Sequence, residues 1–330
     1  MIDNKKISKF AISIVEELQK NNYQAFLVGG CVRDLLCSIV PKDFDIATNA
    51  TPNEIRKIFK ASRIIGRRFK LVHIFNRSEL IEVATFRSGD DHDKEGNLVK
   101  DQSGKILRDN IWGTLEQDTF RRDFTINALY YCPTSGKIED HNSGVKHIRD
   151  KKIVSIGDPS KRFSEDPVRS LRAIRFSNKL NFKIDSNIKD AIYKKGHLLS
   201  NISNARIFDE FCKIFLSGLA EKNFRKLVSF GLNRYLIITN PNENAFSDQL
   251  INEALRNTDN RVKKNKSVTP GFLIAAMLWP ELIKKSSKGG EINLRKFFRS
   301  MDQVLKSQQK ITAIPRKFHT YIKDIWVLQL

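Results

Sequence analysis

Two aspartates separated by a single residue, Asp43-Phe44-Asp45, are the first place in this 330-residue chain where residue type and spacing suggest chemistry. Side chains along a strand alternate between its two faces, so an Asp-x-Asp pair in a strand directs both carboxylates to one side. Anions held that close repel each other unless a cation lies between them. The pair is therefore a divalent-metal site or a solvated loop pair. Upstream, Gly29-Gly30 lies between an apolar run and a helical pattern. Exposed backbone N–H groups and the helix dipole at such a junction favour a phosphate, and Arg33 adds a guanidinium fork. Read alone, the two glycines are better explained as a tight turn. Glu82, in an Ile-Glu-Val run, reads alone as a solvent-facing strand residue. Asp123 and Asn127 have the i,i+4 spacing that puts two side chains on one helix face. Asp166 and Arg169 follow Glu165 and flank Pro167 at a helix start, where a cap and an ordinary ion pair are the plain alternative.

The elements that must position these residues follow from periodicity. Ile7, Phe10, Ala11, Ile14, Val15 and Leu18 recur at helical spacing through residues 5–20, and Asn21-Asn22 stops the pattern. Residues 25–28 form an apolar strand ending at the glycine pair, and a helical pattern resumes from Val32 to Leu36 before Pro41. Residues 44–47 read as the next strand, Pro52 to Phe59 as a helix with Thr51 as its N-cap, and 71–75 and 80–86 as further strands. The polar, glycine-containing stretch 88–110 lacks periodicity and reads as a mobile loop. Beyond about residue 160 helical patterns dominate, over 168–180, 188–199, 206–216 and 272–282, and residues 257–267 (NTDNRVKKNKS) read as an exposed basic connection. The chain is therefore an α/β front followed by an all-helical rear, without internal repeats.

Charge bears on the partner. The chain carries 58 Lys+Arg against 37 Asp+Glu, a formal net charge of +21. Residues 1–150 contribute +3 of this and residues 151–330 contribute +18. An excess of that size predicts a polyanionic partner held by the rear half. Hydrophobic residues make up 40% and no apolar run approaches the length of a membrane span. The opening residues, MIDNKKISKF, lack the regions of a secretory signal, and Cys31, Cys37, Cys132 and Cys212 show no clustered spacing. Together these predict a cytoplasmic protein with buried free thiols.

Four blocks occurring in order carry a family resemblance. Gly29-Gly30-x-x-Arg33-Asp34 followed by Asp43-Phe44-Asp45-Ile46-Ala47-Thr48 resembles the active-site signature of the polymerase-β nucleotidyltransferase superfamily, in the class II branch of bacterial poly(A) polymerases and CCA-adding enzymes. The match continues through residues 82–87 (EVATFR), 121–128 (RRDFTINA) and 165–176 (EDPVRSLRAIRF), and spans roughly 23–235. The resemblance implies a polymerase-β-like head (1–155) with a mixed sheet, a helical neck (156–235) and a helical body (236–330), with an electropositive cleft between head and neck. It implies that Asp43, Asp45 and Glu82 are the catalytic carboxylates and ligate two Mg²⁺ ions. It places Gly29, Gly30, Arg33, Asp34, Arg122, Asp123, Asn127, Asp166, Arg169 and Arg172 around the nucleotide. Arg122, Asp123 and Asn127 would meet its sugar and phosphates, while Asp166 and Arg169 read its base. Those two fit adenine: a carboxylate accepts from the N6 amine and a guanidinium donates to a ring nitrogen.

Poly(A)-adding and CCA-adding enzymes share these blocks, so flanking sequence decides between them. Residues 64–75, containing Gly66-Arg67-Arg68-Phe69 and His73, resemble the poly(A) polymerase form, as does the 202–210 segment, where Ala205 stands in place of the glutamate usual in CCA-adding enzymes. Segments 270–279, 313–318 and 325–330 point the same way. The resemblance thus implies an ATP-using poly(A) polymerase, with a CCA-adding tRNA nucleotidyltransferase as the alternative. RNA 3′ ends of mRNA, small RNA or tRNA are the expected acceptors, and RNA-decay machinery the expected protein partner. A silent RNA-binding protein that keeps the fold is disfavoured by the intact set Asp43, Asp45, Glu82, Asp123, Asp166 and Arg169. Polymerases of this kind usually continue with more helices and a basic tail, whereas this chain stops at Leu330.

Overall fold

The computed structural model describes all residues except Met1, 67–69, 78, 89–97, 101–105, 110, 240–244 and 289–290. Arg67, Arg68 and Phe69 of the poly(A)-type block therefore lie outside the described residues. The chain divides into two compact units, Met1–Pro159 and Ser160–Leu330.

The first unit is built on a seven-stranded sheet in the order β3-β4-β5-β2-β1-β8-β9. Its strands are β1 (Ala25–Val28), β2 (Asp45–Thr48), β3 (Ser62–Ile65), β4 (Leu71–Asn76), β5 (Glu79–Thr85), β8 (Tyr130–Tyr131) and β9 (Ile138–Glu139). The described neighbours pair antiparallel except β2 and β5, which run parallel with Asp45 opposite Glu82. One sheet face buries Leu27, Ile46, Val72, Ile74, Ile81 and Val83 against the apolar side of α1 (Lys9–Lys20) and against Val32 of α2 (Gly30–Leu36) and Ile55 of α3 (Pro52–Ile58). Thr51 caps α3 through a reciprocal capping box with Glu54. The opposite face carries a smaller cluster of Val28, Ala47, Phe86 and Tyr130, joined by Phe26 and by Leu115 of α4 (Leu115–Phe120). Its aromatic rings meet tilted or edge-on at 6.2–6.3 Å.

The second unit is mostly helical: α6 (Pro159–Glu165, starting at the boundary), α7 (Val168–Leu180), α8 (Ser186–Lys195), α9 (Asn204–Phe215), α10 (Ala220–Ser229), α11 (Ala245–Lys263), α12 (Pro270–Ser286), α13 (Leu294–Gln309) and α14 (Lys317–Val327). Polar side chains stitch them together where helix ends would leave backbone groups bare. Asp259 accepts from the Ala220 and Glu221 amides at the start of α10, Gln308 and Thr312 donate to the Leu236 carbonyl, and buried Trp326 donates to the Ala275 carbonyl at 2.9 Å. No helix among the described residues is long and apolar enough to cross a membrane.

Several expectations are corrected. Residues 88–110 are not wholly loop, because β6 (Leu98–Lys100) pairs antiparallel with β7 (Ile106–Asp109); short apolar pairs separated by polar residues hide a hairpin from a periodicity count. The basic stretch 257–267 is helical through Lys263, since Thr258 and Asp259 are buried and prolong α11, although Arg261, Lys263, Lys264 and Lys266 are exposed. The rear is not purely helical, because Ser287–Lys288 pairs antiparallel with Glu291–Ile292. The first helix begins at Lys9, after a 3-10 turn at Asn4–Lys6, because the Ser8 hydroxyl caps it. Of the four free cysteines, Cys31 and Cys132 are buried while Cys37 and Cys212 are half-buried.

Candidate active site

The carboxylates gather on the sheet face that holds the aromatic cluster. β2 begins at Asp45, so Asp43 and Phe44 precede the strand. The ladder ends there because β1 stops at Val28 and the chain turns away at Gly29. Extended alternation nonetheless persists, with Asp43 exposed, Phe44 buried, Asp45 exposed and Ile46 buried. Both aspartates thus share a side. The parallel β2–β5 register sets Glu82 beside Asp45, and β4 sets His73 opposite Glu82 on the other flank. His73 Nε2 lies 3.1 Å from Glu82 Oε1, close enough for the imidazole to donate to and orient that carboxylate.

Electrostatics mark the same spot. Crowding by surrounding protein, although the side chain keeps an exposed surface, raises the Asp45 carboxyl; the Glu82 charge and, less strongly, Asp43 add to it, and Arg122 opposes, leaving it at about 6. A carboxylate lifted by neighbouring negative charge is stabilised in its ionised form by a cation beside it. Among the described residues no three His, Cys, Asp or Glu side chains close into a metal cage. Mg²⁺ does not require one, because it usually keeps several waters and takes one or two protein carboxylates together with substrate phosphates. The donor set here, all oxygen and partly exposed, fits that habit.

Behind the carboxylates stands a buried polar network. Gly29 has φ +74° and caps α2, and its amide donates to the Leu129 carbonyl at 3.0 Å. A Cβ there would lie 3.2 Å from Arg122 Nη1 and 3.5 Å from the Asn127 carbonyl. Gly29→Ala is accordingly expected to lose about 1–3 kcal/mol of stability through its backbone conformation alone. Gly30→Ala, whose Cβ meets Arg33 Nη2 at an ordinary 3.7 Å, should lose clearly less, as read by equilibrium denaturation of the two variants. Arg33 does not stand open as a fork. It is 3% exposed and donates to Asp34 Oδ1 from Nε at 2.8 Å and Nη2 at 2.6 Å, and to Asn127 Oδ1 from Nη1 at 2.5 Å. Asn127 Nδ2 in turn donates to Asp123 Oδ1 at 3.0 Å. Asp123 and Asn127 meet as expected but not on a helix face. Phe124 is extended, bridges to Ser155 and is fully buried, so only Thr125–Asn127 form a 3-10 turn.

In the second unit, Asp166 and Arg169 sit at the start of α7 as expected, joined by the Arg169 amide, which donates to the Asp166 carbonyl at 3.1 Å, while their side chains bond to other groups. Asp166 Oδ2 accepts from Arg206 Nη2 at 2.7 Å. Arg169 Nη1 donates to the Arg162 carbonyl at 3.0 Å and to Glu165 Oε2 at 3.3 Å. Arg172 lies over the Phe176 ring, 5.1 Å from its centroid. Sequence reasoning missed His73 as an orienter of Glu82, Arg206 as the partner of Asp166, and Asp118 and Tyr130 in the network around Arg122. Cross-strand register is the signal that would have found His73, and the i,i+4 spacing at the end of α4 the one that would have paired Asp118 with Arg122, whereas Arg206 and Tyr130 depend on contacts between elements that no spacing shows.

The chain is similar to known proteins along its whole length. A family model for the poly A polymerase head domain matches residues 25–154. Models for the probable RNA and SrmB-binding site of polymerase A and for the polymerase A arginine-rich C-terminus match residues 181–241 and 289–330. Poly(A) polymerase I of Haemophilus influenzae is 41% identical over 340 residues, covering 100% of this chain and 75% of its own length, and that of Escherichia coli O157:H7 is 40% identical over 344 residues, covering 100% and 73%. The CCA-adding enzyme of Anoxybacillus flavithermus is 37% identical over 68% of this chain and 55% of its own. The fold is shared with the solved Thermotoga maritima CCA-adding enzyme complexed with tRNA_CCA, at TM-score 0.67 and 22% identity over 99% of this chain and 70% of that one. CCA-adding enzymes thus share the fold and align with about two thirds of this chain, poly(A) polymerases align with all of it, and the chain belongs to the poly(A) polymerase family of nucleotidyltransferases.

Proposed function

We propose that the protein adds AMP from ATP to RNA 3′ ends by in-line displacement. The RNA 3′-oxygen attacks the α-phosphorus, the bond to the bridging oxygen of the β-phosphate breaks, and pyrophosphate leaves. The observation that carries the reading is the likeness to poly(A) polymerase I over the whole of this chain, where the CCA-adding relatives match a shorter stretch. Asp43, Asp45 and Glu82 are the oxygen ligands this chain offers to two Mg²⁺ ions, which when bound sharpen the attacking hydroxyl and neutralise the departing pyrophosphate. His73 keeps Glu82 turned toward the site. Gly29 and Gly30 let the chain turn closely beneath the phosphates, and Arg122 supplies positive charge there. Arg33 and Asp34 act from behind, by holding Asn127 and through it Asp123, toward the nucleotide sugar. Asp166, Arg169 and Arg172, in the neck (156–235), read the base, and the body (236–330) adds basic surface for RNA. Four free cysteines suit a cytoplasmic enzyme of RNA processing and decay.

The test is incubation of the pure protein with Mg²⁺, one generic RNA and each nucleoside triphosphate singly. ATP alone should build a long ladder and CTP alone should add little. Addition of C, C and A to a tRNA end, followed by arrest, would overturn the reading in favour of a CCA-adding enzyme.

RNA affinity should fall steeply with salt, because each phosphate contact on a single strand contributes about 0.7 to the slope of log affinity against log salt. Replacing Arg261, Lys263, Lys264 and Lys266, all exposed at the end of α11, with Gln should flatten that slope. An unchanged slope in a filter-binding series would put the RNA path elsewhere.

A further inference from the structure

We propose that Asp118 and Tyr130 are positioning residues that hold the Arg122 guanidinium as a pre-aimed cation for the polyphosphate of the incoming nucleotide. The proposal rests on the adenylyl-transfer reading above and adds two residues to it. Asp118 lies on α4 and is 5% exposed. A bare buried carboxylate would be costly, and here it is the hub of several elements. Its Oδ1 accepts from the Arg87 amide just beyond β5 at 3.2 Å and lies 3.3 Å from Arg121 Nε. Its Oδ2 accepts from Arg122 Nε at 3.2 Å, from Arg122 Nη2 at 3.0 Å and from the Tyr130 hydroxyl of β8. That hydroxyl also accepts from Arg122 Nε at 2.9 Å, and the guanidinium carbon lies 5.1 Å from the Tyr130 ring centroid.

The arrangement fixes one edge of the guanidinium and leaves its direction determined. Nε and Nη2 face Asp118 and Tyr130, while Nη1 points to the Gly29 turn, 3.4 Å from the Asn127 carbonyl. The Arg122 side chain stays 25% exposed against 7% for Asp118, so a ligand can reach the cation but not its anchor. Its charge is already felt at Asp45, where it lowers the carboxyl against the pull of Glu82. A long, flexible side chain is thereby set beside the carboxylates and the glycine turn before any nucleotide arrives. Such preorganisation spares the entropy that an untethered arginine would lose on binding phosphate.

The experiment is a double-mutant cycle read as binding of inorganic tripolyphosphate, with Mg²⁺, by titration calorimetry. Wild type, Asp118→Asn, Arg122→Ala and the double variant of the full chain are compared. Each single change should weaken tripolyphosphate binding about tenfold or more, the scale of a hydrogen bond to a charged group. The double variant should be no weaker than Arg122→Ala, because Asp118 acts through that arginine. RNA affinity should not move. Tyr130→Phe, which keeps the ring and removes the hydroxyl, should give a smaller loss that also vanishes in the Arg122→Ala background, and it serves if Asp118→Asn does not fold. Equal losses from Asp118→Asn or Tyr130→Phe with and without Arg122 would overturn the proposal, as would loss of RNA affinity in parallel. Wild type that binds tripolyphosphate but adds no AMP would sink the adenylyl-transfer reading and leave the positioning intact.

Discussion

Asp45→Asn is expected to lower AMP incorporation by at least about a hundredfold, the scale on which metal and electrostatic catalysis depend on a single group. Asp43→Asn should do the same, and both variants should bind RNA with nearly wild-type affinity, because the basic surface proposed to meet RNA is elsewhere in the chain. Single-turnover extension of a labelled RNA, beside a binding titration, measures both. Activity within a few-fold of wild type would remove these carboxylates from the metal site. The Asp45 carboxyl titrates at about 6, above its ordinary 3.8, so the folded state holds the proton more tightly than the unfolded chain does. Its contribution to stability is fully present at pH below the ordinary value and is lost as pH rises through about 6. Asp45→Asn, which never ionises, should therefore melt no lower than wild type at pH 7, and its advantage should shrink toward pH 4. Lost activity with retained or raised melting temperature separates removal of a strained functional charge from damage to the fold.

Arg169→Ala is expected to reduce use of ATP about 10-fold to 100-fold and to narrow the gap between ATP and CTP, since a bidentate base contact contributes about 1–3 kcal/mol of discrimination. Under the base-reading proposal, the geometry around it holds the side chain ready to discriminate. Arg169 is steadied through Nη1 by the Arg162 carbonyl and by Glu165, and Asp166 is steadied by Arg206. Donors and acceptor are thereby held apart at the start of α7, their side chains bound to other partners and not to one another. Competition between the two triphosphates in one extension reaction, analysed as a ratio of kcat/KM values, reads the loss directly. An unchanged ratio would assign base selection to other residues.

How far the sequence led depended on whether a role was local. The 25–28 strand and the 168–180 helix appear with the expected bounds, because one is a continuous apolar run stopped by glycine and the other is strongly periodic. Ser62–Ile65 was not legible, since Ser-Arg-Ile-Ile has no alternation, and a two-residue strand such as Tyr130–Tyr131 carries no period at all. The same division runs through the site. Asp43, Asp45 and the glycine pair announce themselves through spacing, and Glu82 through its family block. Asp118 does not, although Arg122 follows it at i,i+4, because the rest of its meaning lies in Arg87 and Tyr130 arriving from separate elements. Arg33 shows the converse failure: its charge suggested an open phosphate clamp, yet the residue next to it, Asp34, occupies two of its nitrogens.

The single parallel pairing in the sheet, β2 against β5, has a consequence for how the molecule comes to exist. β3, β4 and β5 form a meander of chain neighbours that can assemble quickly from nearby residues. Joining β5 to β2 instead requires the intervening α3 and both earlier strands to be spanned, a loop closure whose entropy must be met before any contact rewards it. That late step is also the one that drives Asp45 against Glu82. Nearly all of the head's local structure can therefore form before Glu82 meets Asp45, and a growing chain on the ribosome carries no Asp45–Glu82 pair until β5 has emerged and docked.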